Sequence, residues 1–303
     1  IKNLGFFKLC YAGLSYIKAC IFKRKENSLE DFYINRFGKV LYSMFFRDYT
    51  QKVWGRKVSD ISADWGSQRV KGISISAVLK DMFRKLFGTK NKNNTETSLI
   101  ESFYYPKLGA GQVWDVMAKR IEQFGGSIKK NTFVKNINMK NGKIYSVTVI
   151  SSGKEEEVFL DKLISSMPIK DLINSINGQK VPNNILKIAN GLPYRNFMSV
   201  GLLLKKLNLK NETKIKTIGN IIPDSWIYVQ DSEVMMGRLQ VFNNWSPYLF
   251  KDKKDIEDKV LITLEYFCDD GDMYWNMSDN DFIDFAVKEA IKMNLFDSKC
   301  DVI

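Results

Sequence analysis

The sequence predicts a mixed α/β fold, in which a helical lobe, a smaller α/β piece and an antiparallel sheet interleave along one chain. Three observations support this prediction. Apolar residues have mainly helical spacing in the first hundred residues, residues 127–166 have the pattern of short strands joined by turns, and longer apolar or alternating runs follow Phe197. No internal repeat or long linker separates these regions, so we expect intertwined domains.

The N-terminal helices are predicted from a capping signal and from periodicity. The segment SLED at 28–31 is a capping box, and apolar residues recur at helical spacing from Leu29 to Phe45. Helical patterns continue over residues 63–72 and 75–87, and the polar stretch 88–98 is expected to be a surface loop.

Short strands and tight turns are predicted next. Strands are expected at 103–105, 127–130, 133–139, 144–150, 156–160 and 162–166, and helices at 111–124 and 169–176. Asn141-Gly142 and Ser152-Gly153 supply turns between the middle strands, and Gly125-Gly126 ends the first helix.

The last third predicts an antiparallel sheet followed by a helix. Strand-like runs lie at 198–204, 226–230, 234–242 and 260–267, with a turn near Asp231-Ser232. Ser278 caps a final amphipathic helix, whose expected inward residues are Phe282, Phe285, Ala286, Ala290 and Met293.

The length and the composition of the chain limit the class of protein. The chain has 303 residues, of which 45% are hydrophobic and 26% charged, as in soluble globular proteins. No apolar run approaches the roughly 20 residues that span a bilayer. The four cysteines form no CxxC pair, which favours reduced thiols and a cytoplasmic location. Because the chain begins with Ile1 and ends without a closing signal, we expect a fragment of a longer protein.

The sequence contains no histidine. This excludes Ser-His-Asp and Cys-His catalysis, histidine metal sites and the usual general base near neutral pH. The acidic segment 269–272 lacks the spacing of a calcium loop and indicates a solvated turn, so no metal site is predicted. An enzyme of this composition needs a cofactor, or carboxylate, lysine and tyrosine side chains.

The charge is unevenly distributed. Residues 1–100 carry 19 Lys and Arg against 8 Asp and Glu, and the whole chain has a net charge of +12. A basic N-terminal region of this kind attracts nucleic acid, an anionic membrane or a phosphorylated small molecule. A non-catalytic basic binding protein is therefore one hypothesis for the chain.

The segment 45–72 is dense in aromatic and cationic residues. Tyr49 and Trp54 lie near Lys52 and Arg69, a combination that suits a ligand with a flat ring and a phosphate. The alternative is a helix that buries its aromatic residues in a core.

Two further features suggest a binding site. Gly109 and Gly111 precede a predicted helix, where glycine permits close approach of a cofactor, although Trp114 stands where a dinucleotide fingerprint needs glycine. Arg238 is the only arginine of the last third and lies in an apolar strand, where a guanidinium usually has an anionic partner.

Three segments, in order, carry a resemblance to a known family. They are FFxxYTxKxWG at 45–55 followed by QRxKG, YPxxGxGxxW at 105–114, and the stretch 228–248. This pattern resembles the flavin amine oxidase and protoporphyrinogen oxidase-like superfamily, especially its UDP-galactopyranose mutase-like branch. The resemblance implies a two-lobed FAD/NAD(P)-binding flavoprotein fold with a partial dinucleotide-binding lobe. Implied segments are 1–102 and 178–268 for the substrate domain, 103–177 for the FAD-binding domain, and 269–303 for a returning helix.

The resemblance also implies residue roles. Substrate-binding residues would be Tyr49, Lys52, Trp54, Arg69 and Arg238, the last facing a nucleotide-sugar diphosphate. Residues near FAD would be Gly109, Gly111, Phe133, Val134, Ser166 and Pro168. No catalytic side chain is assigned, because the flavin carries the chemistry.

The implied activities and partners are these. The first is an FAD-dependent oxidoreductase whose flavin takes a hydride from a small-molecule substrate. The second is a mutase-like flavoenzyme that isomerises a nucleotide-sugar without net redox. We expect no nucleic-acid partner and no membrane span, and peripheral membrane contact stays open.

Overall fold

The computed structural model describes residues 5–69 and 103–303. These form two compact units, one made of the described residues within 1–112 and 195–303 and the other of residues 113–194. The second unit overlaps the segment 103–177 that the sequence assigns to a cofactor lobe. The predicted helix at 75–87 and loop at 88–98 lie outside the described residues.

Four helices open the first unit. They are α1 (Phe6–Ile21), α2 (Leu29–Phe45), α3 (Arg47–Trp54) and α4 (Ala63–Arg69). The predicted cap at Ser28 is confirmed, since its side chain accepts a hydrogen bond from the N–H of Asp31. Helix α2 is kinked at Gly38, whose φ of 77° requires glycine. The aromatic core below these helices includes Phe32 and Tyr33.

The second unit contains one sheet and three helices. Its elements are α5 (Gly111–Gln123), β1 (Thr132–Lys140), β2 (Lys143–Ser151), β3 (Lys154–Phe159), α6 (Ile169–Asn174), β4 (Ile176–Asn177) and α7 (Asn183–Asn190). The strand order is β3-β2-β1-β4, with β4 parallel to β1 and the other pairs antiparallel. Both predicted turns are confirmed: Asn141-Gly142 and Ser152-Gly153 have positive φ at both positions, as two-residue hairpin turns require.

The antiparallel sheet predicted for the last third belongs to the first unit. Its strands are β5 (Asn196–Leu204), β6 (Trp226–Tyr228), β7 (Arg238–Val241) and β8 (Val260–Cys268), and the helices are α8 (Lys253–Asp258) and α9 (Asp279–Lys292). The order is β5-β8-β7-β6. Helix α9 begins after the predicted cap Ser278 and buries Phe282, Ala286 and Ala290 against the sheet core.

Several predicted strands are wrong. Residues 103–105, 127–130 and 162–166 are irregular, and none of them pairs with a neighbouring strand among the described residues, although a strand needs such a partner for its N–H and C=O groups. The predicted strand 234–242 is shortened to β7, because the N–H groups of Met235 and Met236 bond to the carboxylate of Glu289 instead of a strand.

No helix within the described ranges has the length and apolar character that crossing a bilayer requires.

Candidate functional site

The sheet of the first unit has two unequal faces. Strand register aligns Ser199, Glu265, Arg238 and Tyr228 in one row across β5, β8, β7 and β6. Residues directly opposite one another point to the same side of a sheet. The neighbouring Leu264 points to the other side, into the core that α9 covers. We call the side with the row the open face.

Arg238 has an anionic partner, as a guanidinium in an apolar strand is expected to have, and this partner is a carboxylate of the chain itself. Its Nε forms an ion pair with Oε2 of Glu265, and the two side chains are 21% and 6% exposed. Gln240 donates from Nε2 to the other carboxylate oxygen of Glu265. The guanidinium also lies 5.1 Å from the ring centroid of Trp226 and 4.9 Å from that of Phe267. Arg238 is therefore held in place, with its charge balanced, on the open face.

Tyr49 joins this group from helix α3. Its ring meets that of Tyr228 edge-on, with centroids 4.8 Å apart. Burial raises the pKa of the Tyr49 hydroxyl, and the nearby Arg238 charge opposes that rise. Tyr49 and Arg238, which the sequence proposed from segments far apart, thus lie together.

Lys52 lies one turn further along α3 and bonds to the loop between β6 and β7. Its Nζ donates to the carbonyls of Val229 at 3.2 Å, Asp231 at 2.5 Å and Met236 at 3.0 Å. Burial lowers the pKa of this ammonium, and the charges of Glu289, Asp231 and Asp48 oppose the shift. These three bonds use the three donors of the ammonium group.

The same loop is held from its other side by Glu289 of α9. The Glu289 carboxylate accepts from the N–H of Met235 at 2.5 Å and from the N–H of Met236 at 3.0 Å. The loop that leads into Arg238 is thus fastened through its backbone by one ammonium and one carboxylate.

The remaining predicted substrate residues lie elsewhere or outside the described atoms. Trp54 meets Trp65 edge-on at 5.3 Å and packs against the aromatic core of the helices. Arg69 ends α4, and its side chain lies outside the described residues. A ligand role stays a prediction for every residue of the predicted set: Tyr49, Lys52, Trp54, Arg69 and Arg238.

An aromatic cluster that the sequence did not single out adjoins the open face. The ring centroid of Trp245 lies 5.0 Å from that of Tyr105, 5.7 Å from that of Phe103 and 6.4 Å from that of Trp226. The indole Nε1 of Trp245 is buried and has no hydrogen-bond partner among the described residues. It is a donor that a ligand carbonyl would satisfy.

Arg195 fastens α3 to the end of β8. Its guanidinium donates to the carbonyls of Lys52 at 3.2 Å, Val53 at 3.3 Å and Phe267 at 3.4 Å, and pairs with Asp269 at 2.6 Å. These bonds satisfy carbonyls at the C-terminus of α3, where a cation is also favoured by the helix dipole. Arg195 therefore fixes the helix that carries Tyr49.

The two glycines predicted to lie near the cofactor, Gly109 and Gly111, differ in how far local geometry explains the glycine. Gly109 has a φ of 90°, and a Cβ there would lie 3.0 Å from Leu249, so local geometry alone explains the glycine. At Gly111, the first residue of α5, a Cβ would meet no atom of the residues that the structure describes within 4 Å. The start of α5 is therefore open to a close approach by another group.

The other predicted cofactor residues belong to the second unit. Phe133 on β1 is 64% exposed, while the next residue, Val134, packs into that unit's small core. Ser166 and Pro168 are exposed in the irregular segment before α6. An exposed ring on a strand and small exposed residues fit a flat cofactor, and the FAD role of these four residues stays a prediction.

Sequence reasoning missed Glu265 and Arg195. Glu265 had a signal, because it is the lone acid in the apolar run 260–267, and a lone acid in one strand suits a lone arginine in another. Arg195 had none, since most of its partners are backbone carbonyls of remote residues.

No protein-family model and no curated protein matches the chain. Solved structures do match its structure. Reduced UDP-galactopyranose mutase gives a TM-score of 0.72 at 18% identity. A putative protoporphyrinogen oxidase from Exiguobacterium sp. 255-15 gives 0.59 at 10%, and an oxidoreductase from Methanosarcina mazei gives 0.57 at 12%. Each match covers 97% of this chain and 58% of the other.

The chain thus spans a little over half the length of each of these structures. At such low identity the similarity establishes the fold. The chain has the fold of the matched part of UDP-galactopyranose mutase and of these oxidoreductase and oxidase structures, which is the fold that the resemblance implies.

Proposed function

We propose that the chain belongs to an FAD-dependent oxidoreductase in which the flavin takes a hydride from a bound small molecule. The observation that carries the proposal is the open face, where Tyr49, Tyr228 and the Arg238–Glu265 pair form an aromatic and polar surface. In a chain with a flavoprotein fold, such a surface is suited to bind substrate.

The residues of the open face would hold and orient the substrate. Trp226 and Tyr228 are partly exposed and offer aromatic surface to a flat group. Arg238 gives a donor of fixed direction, because Glu265 and two aromatic rings restrain its guanidinium. The FAD would supply the hydride acceptor when bound. This division of roles agrees with a sequence that has no histidine.

The cofactor itself would be held by residues that leave room for it. No atom of the described part of the chain would meet a Cβ on Gly111 at the start of α5, and Phe133 presents an exposed ring. Ser166 and Pro168 add a short exposed segment. We assign these four residues to FAD as part of the proposal.

The second candidate is a mutase-like flavoenzyme that isomerises a nucleotide-sugar without net redox. The TM-score of 0.72 with reduced UDP-galactopyranose mutase supports it. So does the pairing of a guanidinium with aromatic rings, because that pairing suits a nucleobase next to a phosphate.

Flavin titration tests both candidates. We expect added FAD to bind a purified protein that contains this chain and has the full length of the matched structures, with quenching of flavin fluorescence and shifted absorption bands in the near-UV and blue. Replacing Phe133 by aspartate should weaken this binding, whereas the same change at Phe159, which is exposed on β3, should not. Because this chain spans 58% of the length of the matched structures, only a longer protein that contains it and binds no FAD argues against both candidates and favours the basic binding protein.

Turnover then separates the two candidates. The flavin-loaded protein is reduced with dithionite and incubated with UDP-galactopyranose without oxygen. A ring-contracted product supports the mutase, and Arg238→Lys should lower its rate while Arg47→Lys, an exposed arginine on α3, should not. No such product excludes the mutase and leaves the oxidoreductase, for which a substrate that bleaches the flavin without oxygen is the expected finding.

A further inference from the structure

Helix α1 packs on α2 through its small residues. Ala12 and Ala19 are buried, and Ser15 Oγ accepts a hydrogen bond from the N–H of Val40 at 3.2 Å. The two backbones are so close that a Cβ on Gly38 would lie 2.8 Å from Ser15. The face of α1 toward α2 is therefore made of small side chains in tight contact.

The large apolar side chains of α1 point outward. Tyr11, Leu14, Ile17 and Ile21 are between 54% and 67% exposed. Residues three or four apart share one face of a helix, so these four form a continuous stripe. The stripe is about 15 Å long at the helical rise per residue. A contiguous apolar surface of this kind marks an interaction site.

Exposed basic residues lie on the helix and directly after it. Lys8 and Lys18 are on α1, and residues 23–25 (KRK) follow its end, all of them exposed. No acidic residue precedes Glu26 in the sequence. Two of the cations have local partners, since Lys23 donates to the carbonyl of Asn35 at 2.6 Å and Arg24 lies 3.6 Å from Asp31. The surface that contains the stripe is therefore strongly basic.

This charge pattern indicates which partner binds the apolar stripe on α1. A second copy of the helix would bring Lys18 and the basic segment 23–25 toward an equally basic surface, where Asp31 and Glu26 already pair with Arg24 and Arg36. Insertion across a bilayer requires about 20 apolar residues, and α1 has 16 residues with two lysines. An anionic lipid surface accepts both the apolar stripe and the cations.

We propose that α1 and residues 23–25 form a docking surface for an anionic membrane. The helix lies in the plane of the headgroups, with Leu14, Ile17 and Ile21 inserted and Tyr11 at the interface. Lys18 and the segment 23–25 bind the anionic headgroups. This inference depends on neither the flavin nor the substrate, so it stands apart from the proposed function.

Vesicle sedimentation of the full 303-residue chain tests the proposal. We expect it to sediment with vesicles that contain phosphatidylglycerol, much less with vesicles of phosphatidylcholine alone, and less at high salt. Lys18→Gln should weaken binding to the anionic vesicles about fivefold, the usual effect of one surface cation. Leu14→Glu should weaken it about tenfold or more, because it places a charge inside the inserted stripe.

The matched control is Ile188→Glu on α7. Ile188 is a helical residue with 63% exposure, against 66% for Leu14, and it lies in the other unit. Ile188→Glu should bind vesicles as the unmodified chain does, and circular dichroism should show that both variants are folded. Equal binding by the chain and Leu14→Glu, or no binding to anionic vesicles, overturns the proposal. A dimer that Leu14→Glu dissociates, without vesicle binding, assigns the stripe to a second copy instead.

Discussion

Replacing Glu265 by glutamine removes the anion that faces Arg238 and keeps the shape of the side chain. Removing one partner of a buried ion pair typically costs about 3–5 kcal/mol, because the other charge stays buried without compensation. Glu265 is 6% exposed, whereas Arg238 is 21% exposed and also contacts two aromatic rings. We therefore expect the lower end, about 3 kcal/mol, a large share of the about 5–15 kcal/mol of a typical domain.

Urea denaturation followed by tryptophan fluorescence measures this loss as a change in the free energy of unfolding. The double variant Arg238→Gln/Glu265→Gln completes a thermodynamic cycle, and we expect a coupling energy of about 2 kcal/mol or more. Glu233→Gln is the control: it breaks an exposed ion pair with Lys292, 3.4 Å long, and should cost less than about 1 kcal/mol. A loss below about 1 kcal/mol for Glu265→Gln, or additive effects of the two changes, would refute the reasoning.

Three other predictions concern the same unit. Burial raises the pKa of the Tyr49 and Tyr266 hydroxyls above the ordinary value of 10.0, so the folded state keeps their protons. These two groups should therefore leave the free energy of unfolding unaffected below about pH 10 and lower it above that pH. Phenolate absorbance from these residues should appear only on unfolding. Gly55→Ala should cost about 1–2 kcal/mol, measured as a lower Tm, because Gly55 has a φ of 60° and a Cβ there would lie 2.7 Å from Cζ of Arg195. Lys52→Met leaves three carbonyls without their donor and should cost about 1–3 kcal/mol in urea denaturation, whereas an unchanged stability would show that these bonds contribute nothing.

The sequence predicts most of what depends on neighbouring residues. Ser28 and Ser278 cap helices because their partners lie three residues away. Asn141-Gly142 forms a turn because both residues tolerate positive φ. The alternating and apolar runs of the last third predict that its strands form a sheet. They do not predict the register between those strands. Arg238 could thus be assigned an anionic partner, but the choice of Glu265 required the alignment of β7 with β8.

What the sequence does not predict depends on contacts between remote residues and backbone atoms. Lys52 was proposed as a ligand residue from its aromatic neighbours, and its ammonium instead meets three carbonyls more than 170 residues away. Arg195 contacts carbonyls at the end of α3 in the same manner. Any segment of chain offers such carbonyls, so no pattern of side chains announces them. The irregular segment 162–166 shows the related difficulty that a strand exists only where a partner strand lies beside it.

The loop between β6 and β7 is held through its backbone, so its position does not depend on which side chains it carries. Lys52 and Glu289 hold only its carbonyl and N–H groups, which every residue except proline provides. The side chains of Ser232 and Glu233 are therefore free to differ without displacing Arg238. This loop is a site where substitutions, whether in related proteins or in an engineered library, can alter what borders the open face while the face itself keeps its geometry.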